Sequence, residues 1–103
     1  MYFLHGNLTS KPGFGLQLAD ILTKASELVS NAKGCRLYVV CNDSKKPDAI
    51  WITEIWDSKE DHDVSLSVPG VRELISEALP LLLGPPKKGQ ELTMLGGFLP
   101  KLI

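Results

Sequence analysis

One stretch of this sequence, Ala49–Trp56, constrains the fold most, because it predicts a strand that needs cover on both sides. Its side chains alternate between two faces, and each face carries bulky apolar groups, with Trp51 on one and Trp56 on the other. Such a strand belongs in the middle of a sheet. Asp57 and Ser58 follow at once and both suit the cap of a helix, so the strand is predicted to lead directly into a helix.

The flanking patterns predict three further strands and a long first helix. Strands are expected over Tyr2–Thr9, Cys35–Asn42 and Gln90–Leu95, where aromatic, β-branched and alternating apolar residues gather. Between the first two strands, apolar residues recur at the helical period from residue 16 to 32, and Gly34 suits the end of that helix. A polar hairpin turn joins the second strand to the third.

A second helical region follows the central strand. It is expected to start at the Asp57–Ser58 cap, carry His62 and end near Leu66. Pro69 then suits the first turn of a further helix, because proline is tolerated where a backbone N–H has no partner. Pro80 is expected to bend that helix or to shorten its last turn.

The order β-α-β-β-α-β predicts an α+β, ferredoxin-like fold in a single domain over residues 1–103. Right-handed crossovers place strands one and three in the centre of a four-stranded antiparallel sheet, with the helices on one face. The other face keeps apolar groups from strand two, either Leu37 and Val39 or Tyr38 and Val40. Because a large apolar surface is unfavourable in water, two sheets are expected to pack face to face in a homodimer.

Charge, hydropathy and cysteine spacing narrow the classes of partner. The net charge is −1 and basic residues occur in runs of two at most, so no nucleic-acid or membrane partner is expected. No apolar run approaches the ~18 residues of a membrane span, and the first residues lack the basic and apolar regions of a signal peptide, so none is expected. Cys35 and Cys41 lie about 20 Å apart along one strand, too far for a disulfide. Two free thiols suit a cytoplasmic protein, and no metal site is predicted.

The segment from Trp51 to Val71 resembles the antibiotic biosynthesis monooxygenase (ABM) family, and within it the branch named for quinol monooxygenases. It carries the run aromatic-x-x-Glu-x-Trp-x-Ser-x-Glu-x-His-x-x-Ser-Leu, followed by Pro-x-Val. Three flanking pairs agree with the same family, namely Pro12-Gly13, Gly34-Cys35 and Gly96-Gly97. The resemblance therefore covers essentially the whole chain.

The resemblance implies a domain that dimerises into a shared α/β barrel. Family members with known activity oxidise aromatic polyketides or hydroquinones with O₂ and use no metal or flavin, so a small aromatic substrate and no cofactor are expected. A haem-degrading relative in the same fold superfamily uses an asparagine, a tryptophan and a histidine. This chain has Asn7, but Ser65 and Ile75 stand near the other two positions, so haem degradation is not expected.

His62 and Asn7 are the candidate catalytic residues of a cofactor-free oxygenase. Such an enzyme needs a base that removes a phenolic proton and a donor that holds the oxyanion. His62 is the candidate base, since an imidazole ordinarily has a pKa of about 6.5. Asn7 is the candidate donor, or orients O₂, because asparagine is uncommon within strands. The alternatives are a histidine paired with a nearby carboxylate and an asparagine that bonds the next turn.

Four further residues are candidates to bind the substrate, namely Trp56, His5, Trp51 and Glu54. The tryptophans can stack on an aromatic ring or simply belong to the core. His5 shares a face with the strand-one asparagine by alternation, and the alternative is packing against the next strand. Glu54, if buried, must be protonated or paired, and Arg36 on the neighbouring strand is its expected partner.

Two other functions are compatible with the same fold. A non-catalytic dimeric module that binds small molecules or serves a stress response is one, because a fold alone does not determine function. An isomerase or decarboxylating lyase, using the same base without O₂, is the other. A closed apolar cavity beside Asn7, His62 and Trp56 favours the oxygenase, whereas helices packed solidly on the sheet favour the binding module.

Overall fold

The computed structural model describes residues 1–98 as one four-stranded antiparallel sheet with helices on one side. The strands are β1 (Tyr2–Thr9), β2 (Cys35–Asp43), β3 (Lys46–Trp56) and β4 (Gln90–Thr93). The helices are α1 (Gly15–Val29), α2 (Lys59–Ser65) and α3 (Val71–Ala78), followed by a 3-10 turn at Leu79–Leu81. Within residues 1–98, no helix has the length and apolar character needed to cross a membrane.

The sheet order is β2-β3-β1-β4, which places β1 and β3 in the centre and confirms the predicted ferredoxin-like α+β fold. In an antiparallel pair, residues directly opposite each other share a face. Tyr2 opposes Trp56, whereas His5 opposes Thr53, so these pairs lie on different faces. We call the side that packs against the helices the covered face and the other side the open face.

The helices bury the covered face through two apolar clusters. The larger cluster joins Leu18 and Leu22 of α1 to Ile50 of β3. The smaller one joins Val29 to the fully buried Trp56. Burying a side chain of this size stabilises the fold by roughly 1.5–3 kcal/mol, so the two clusters hold β3 and α1 together.

The hairpin between β2 and β3 is tighter than predicted, because β3 begins at Lys46 rather than Ala49 and only two residues form the turn. The extra residues include Asp48, whose carboxylate accepts hydrogen bonds from the backbone N–H groups of Gly13 at 3.2 Å and Gly15 at 3.0 Å. No side chain from its own N-cap residue caps α1. A strand distant in sequence therefore supplies the cap.

The structure corrects two further boundaries and agrees with the prediction for Pro80. The prediction that Pro69 opens a helix is wrong, since Gly70, with φ of 94°, is the N-cap and α3 begins at Val71. Pro80 lies in the 3-10 turn that ends α3, as expected for a residue without an N–H. β4 ends at Thr93 rather than Leu95, because β1 pairs with it only through four residues.

Candidate functional site

The junction between β3 and α2 holds the candidate site, and Ser58 makes this junction sharp. Its side-chain oxygen accepts a hydrogen bond from the backbone N–H of Asp61 at 3.1 Å, which satisfies a donor that the first helical turn leaves free. Ser58 is extended in conformation, and only two residues, Asp57 and Ser58, separate the end of β3 from the start of α2. Its first turns consequently carry His62 over the covered face.

The prediction that Arg36 pairs with Glu54 is wrong. Tyr38, not Arg36, lies opposite Glu54 in the ladder, and Arg36 sits at an irregularity of the β2–β3 pairing. Its guanidinium instead donates to Asp57 at 2.7 Å, and this hydrogen bond holds the pKa of the Asp57 carboxyl below its ordinary value. Arg36 therefore stabilises the junction at the protein surface, and the buried Glu54 has other partners.

His62 lies between two carboxylates. Its Nδ1 is 2.9 Å from Asp63 Oδ1, and its Nε2 is 3.7 Å from Glu54 Oε1. The ring of Trp56 meets it edge to face at a centroid distance of 5.8 Å, and the ring of Tyr2 lies 5.6 Å away. The imidazole is therefore fixed by two aromatic neighbours while both of its nitrogens face acidic groups.

Glu54 is buried and accepts a hydrogen bond from the indole N–H of Trp56 at 3.0 Å. Burial raises the pKa of the Glu54 carboxyl, while the Trp56 hydrogen bond and the charge of His62 act in the opposite direction. The charge of His62 acts on the protonation of the Glu54 carboxyl, and the two groups lie within 3.7 Å of each other. Glu54 and His62 therefore form one ionisable unit.

A cavity of about 460 Å³ opens beside this unit, between the covered face, α2 and the loop of residues 84–89. Most of its lining is aliphatic or main chain, and three ionisable side chains reach it. The lining consists of Leu4, Gly6, Asn7, Leu8, Ile52, Glu54, His62, Leu66, Pro86, Lys87 and Gly89. A pocket that is apolar with a few converging polar groups is the usual form of a small-molecule site.

Two glycines let the loop of residues 84–89 form a wall of this cavity. A side-chain carbon on Gly6 would lie 2.7 Å from the Cα of Gly89, and one on Gly89 would lie 2.8 Å from the backbone oxygen of His5. Both distances are shorter than any normal contact, so only glycine permits this approach. The loop thereby holds Lys87 at the cavity.

Tyr2 joins the site to the last strand. Its hydroxyl donates to the carboxylate of Glu91 at 3.0 Å, and burial together with this hydrogen bond raises the pKa of Tyr2 to about 12. Lys88 makes an ion pair with the same carboxylate. Tyr2 is therefore a neutral, fixed neighbour of His62 rather than a competing base.

The structure separates the other candidates from this unit. His5 and Trp51 stack at a centroid distance of 5.2 Å on the open face, where His5 Nδ1 also lies 2.9 Å from Thr53 Oγ1. Asn7 opposes Trp51, so its side chain shares that face, although Asn7 also contributes to the cavity lining at the strand. A second cavity on that side includes His5, Asn7 and Trp51. The chain therefore carries one histidine and one tryptophan on each face.

Of the predicted site residues, the covered face brings together Glu54, Trp56 and His62. The indole of Trp56 is fully buried behind the other two, so it contacts them rather than the cavity. Sequence reasoning missed Tyr2 and Lys87. The strand-one alternation places Tyr2 beside the cavity-lining Leu4, whereas nothing local distinguishes Lys87 from other loop lysines. Among residues 1–98 no group of three or more His, Cys, Asp or Glu side chains is arranged to hold a metal ion.

Comparison with known proteins gives one family and a set of solved structures. The model of the family "antibiotic biosynthesis monooxygenase" matches residues 1–76. A Chloroflexus aurantiacus protein, provisionally given the same name, is 41% identical, with a TM-score of 0.82 over 94% of this chain and 95% of that chain. No curated protein matches the chain.

Two more distant structures, also provisionally named antibiotic biosynthesis monooxygenases, agree with this fold. The one from Deinococcus radiodurans is 24% identical, with a TM-score of 0.73 over 100% of this chain and 99% of that chain. The one from Nitrosomonas europaea is 12% identical, with a TM-score of 0.83 over 91% and 89%. At such identities the two structures show the shared fold alone.

Proposed function

We propose, from the premise that this chain belongs to the antibiotic biosynthesis monooxygenase family, that it oxidises a small aromatic or quinol-type substrate with O₂ without a metal or flavin. The observation that carries the proposal is the Glu54–His62 unit at the wall of a mainly aliphatic cavity. Its volume of about 460 Å³ suits one small aromatic molecule. Known members of this family use substrates of that class.

The chemistry needs a base, O₂ and an electron-rich substrate. His62 removes a hydroxyl proton of a quinol, and the anion passes one electron to O₂. The semiquinone and superoxide combine to form a carbon–oxygen bond, and the resulting hydroperoxide loses water. A quinol then becomes a hydroxyquinone: one oxygen atom enters the ring, the other leaves as water, and the substrate supplies all four electrons. Aliphatic walls such as Leu4 and Ile52 keep water from the radical pair.

The site residues take different parts in this proposal. His62 is the base, and Glu54 stabilises its charged form across 3.7 Å. Trp56 supports both through its hydrogen bond to Glu54. Asn7 has its side chain on the far side of the sheet, so its proposed contribution to binding O₂ or an oxyanion is independent of that of His62.

The proposal includes a homodimer formed through the open face. Val39 and Leu92 are 42% and 48% exposed there, which is costly for apolar side chains in water. We expect Val39→Lys to produce monomers in analytical ultracentrifugation. Leu16→Lys is the matched control, because Leu16 is 77% exposed on a helix. A monomeric wild type would overturn this part.

The unpaired Cys35 and Cys41 fit a cytoplasmic location, where thiols stay reduced.

Oxygen uptake tests the activity directly. Chelator-treated protein is mixed with a panel of hydroquinones and anthrones in an oxygen electrode, and ¹⁸O₂ identifies the atom that enters the product. We expect uptake above spontaneous autoxidation, with one labelled oxygen per product molecule. His62→Gln should reduce the rate by 10²-fold or more, the contribution of a positioned base. Glu60→Gln is the matched control, since Glu60 is an exposed residue of the same helix that does not line the cavity. Ligand binding without oxygen uptake would overturn the proposal and support a binding module.

A further inference from the structure

We propose that Glu54, His62 and Asp63 form a proton relay that carries a proton from the cavity to solvent. The proton enters at Nε2 of His62 and leaves from Nδ1 to Asp63. This inference rests on the proposed function only for the source of the proton, which is the hydroxyl group of a bound quinol or phenol. It gives Asp63 a positioning role in the site.

The three side chains lie in a line from the interior to the surface. The side chain of Glu54 is 10% exposed, that of His62 is 19% exposed and that of Asp63 is 53% exposed. Both Glu54 and His62 line the cavity, whereas Asp63 does not belong to its lining. A proton that reaches Asp63 has therefore left the cavity and can pass to bulk water.

The outer bond selects the tautomer of the ring. An ionised carboxylate accepts hydrogen bonds and donates none, so the 2.9 Å contact between Nδ1 and Asp63 Oδ1 requires the proton to be on Nδ1. The neutral ring then has an unprotonated Nε2, which faces Glu54 Oε1 at 3.7 Å. Nε2 is thus an unprotonated acceptor on a side chain that lines the cavity, so the ring is arranged to take a proton from a ligand.

Lys59 keeps the outer end of the relay ionised. Its ammonium donates to the second oxygen of Asp63 at 3.2 Å. Hydrogen bonds from His62 and from Lys59, in that order of importance, hold the pKa of the Asp63 carboxyl below its ordinary value. The carboxylate is therefore available as an acceptor over the whole neutral pH range.

The groups near the inner end do not compete for the proton. Tyr2, Cys35 and Tyr38 lie close enough to Glu54 for its charge to act on them, and burial raises the pKa of all three. They therefore stay protonated and neutral at pH 7. The Glu54–His62 pair is left as the proton acceptor at this end of the cavity.

The transfer proceeds in two steps. The ligand O–H bond breaks, an N–H bond forms at Nε2, and the electron pair stays on the ligand oxygen. The imidazolium that results is stabilised by a carboxylate on either side. It then releases the Nδ1 proton to Asp63 and so to water, which leaves a neutral ring protonated at Nε2. Exchange with water restores the starting tautomer after the product leaves.

The tautomer of His62 tests the relay directly by long-range ¹H–¹⁵N NMR. His5→Gln makes His62 the only histidine. In this background the neutral ring should be protonated at Nδ1. Asp63→Ala should move the proton to Nε2, because Glu54 is then the carboxylate nearest the ring. Glu60→Ala, which removes another exposed carboxylate from α2, is the matched control and should leave the proton on Nδ1.

Two results would overturn the relay. One is a ring protonated at Nε2 while Asp63 is present, and the other is a ring that keeps its Nδ1 proton in the Asp63→Ala variant. Neither measurement needs a substrate. A protein that lacks oxygenase activity yet shows the predicted switch contradicts the proposed function and leaves the relay standing, so the two failures can be told apart.

Turnover provides a second readout. Asp63→Ala should lower kcat on the order of 10²-fold, the smaller end of the range for a positioned proton-transfer group, with little change in KM. The pH dependence of kcat should shift in the same variant, because the Glu54–His62 pair loses the carboxylate that accepts its proton. An Asp63→Ala enzyme with the kcat and the pH profile of the wild type would overturn the relay.

Discussion

The contact between Gly6 and Gly89 predicts a measurable loss of stability in Gly6→Ala. The new methyl carbon would lie 2.7 Å from the Gly89 Cα, about 0.7 Å inside the 3.4 Å at which ordinary contact begins. The obstacle is backbone, so the loop of residues 84–89 must move as a unit. Overpacking of this kind costs about 1–3 kcal/mol, and the lower chain entropy of alanine in the unfolded state returns about 0.4–1 kcal/mol.

The midpoints of these two ranges leave a net destabilisation of about 1.3 kcal/mol for Gly6→Ala. For a chain of this length, 1 kcal/mol lowers Tm by roughly 4–8 °C. Thermal unfolding followed by circular dichroism, with urea unfolding at 25 °C, measures the effect. Gly84→Ala is the matched control, because a side-chain carbon there has no neighbour within 4 Å. A Gly6→Ala protein that melts at or above the wild-type temperature would refute the close-contact reasoning.

Three further predictions concern the interior and the first helix. Because burial holds the pKa of Glu54 above its ordinary value of 4.5, the folded state keeps this proton longer than the unfolded chain. The wild-type free energy of unfolding should therefore fall as pH rises from about 4.5 through the raised pKa, and Glu54→Gln should lessen that decline in urea titrations. Trp56→Phe removes the indole donor to Glu54 and should cost about 1.5–3 kcal/mol at pH 7. Asp48→Ala removes the cap of α1 and should cost about 0.5–2 kcal/mol, measured by the same titrations.

Each of these predictions has a result that contradicts it. An unchanged pH slope in Glu54→Gln would show that the folded-state pKa of this group is not raised. In a double-mutant cycle, the cost of Trp56→Phe should shrink when Glu54 is already glutamine, and a constant cost would assign it to packing. Asp48→Ala should leave the exchange of amide hydrogens in α2 unchanged, since its carboxylate contacts only the start of α1.

The elements of the fold could be predicted from local patterns, whereas the division of the site between two faces could not. Alternation in β1 shows that His5 and Asn7 share a face, and alternation in β3 shows that Glu54 and Trp56 share one. Which of these faces meets the helices depends on the pairing of Tyr2 with Trp56, and both faces of β3 are apolar enough for either outcome. The register between strands that are distant in sequence therefore determines which of the two faces meets the helices.

Contacts between distant segments account for the other differences. Asp48 caps a helix that begins more than thirty residues earlier, and the capping rules that read neighbouring positions do not reach it. Arg36 lies at an irregularity of the ladder and donates to Asp57 rather than to Glu54, and single-strand alternation does not show this. By contrast, the cap of α2 is a local signal: the sequence offered Asp57 or Ser58, and the structure has Ser58.

The short helix that carries His62 and Asp63 should determine the temperature at which this protein loses activity on heating. α2 has seven residues, of which Ser65 is the only buried one, and a helix of that length has little stability of its own. Local opening of α2 should therefore require less free energy than opening of the central strands. His62 would leave the cavity while the sheet remains intact, so activity should disappear several degrees below the melting temperature and return on cooling.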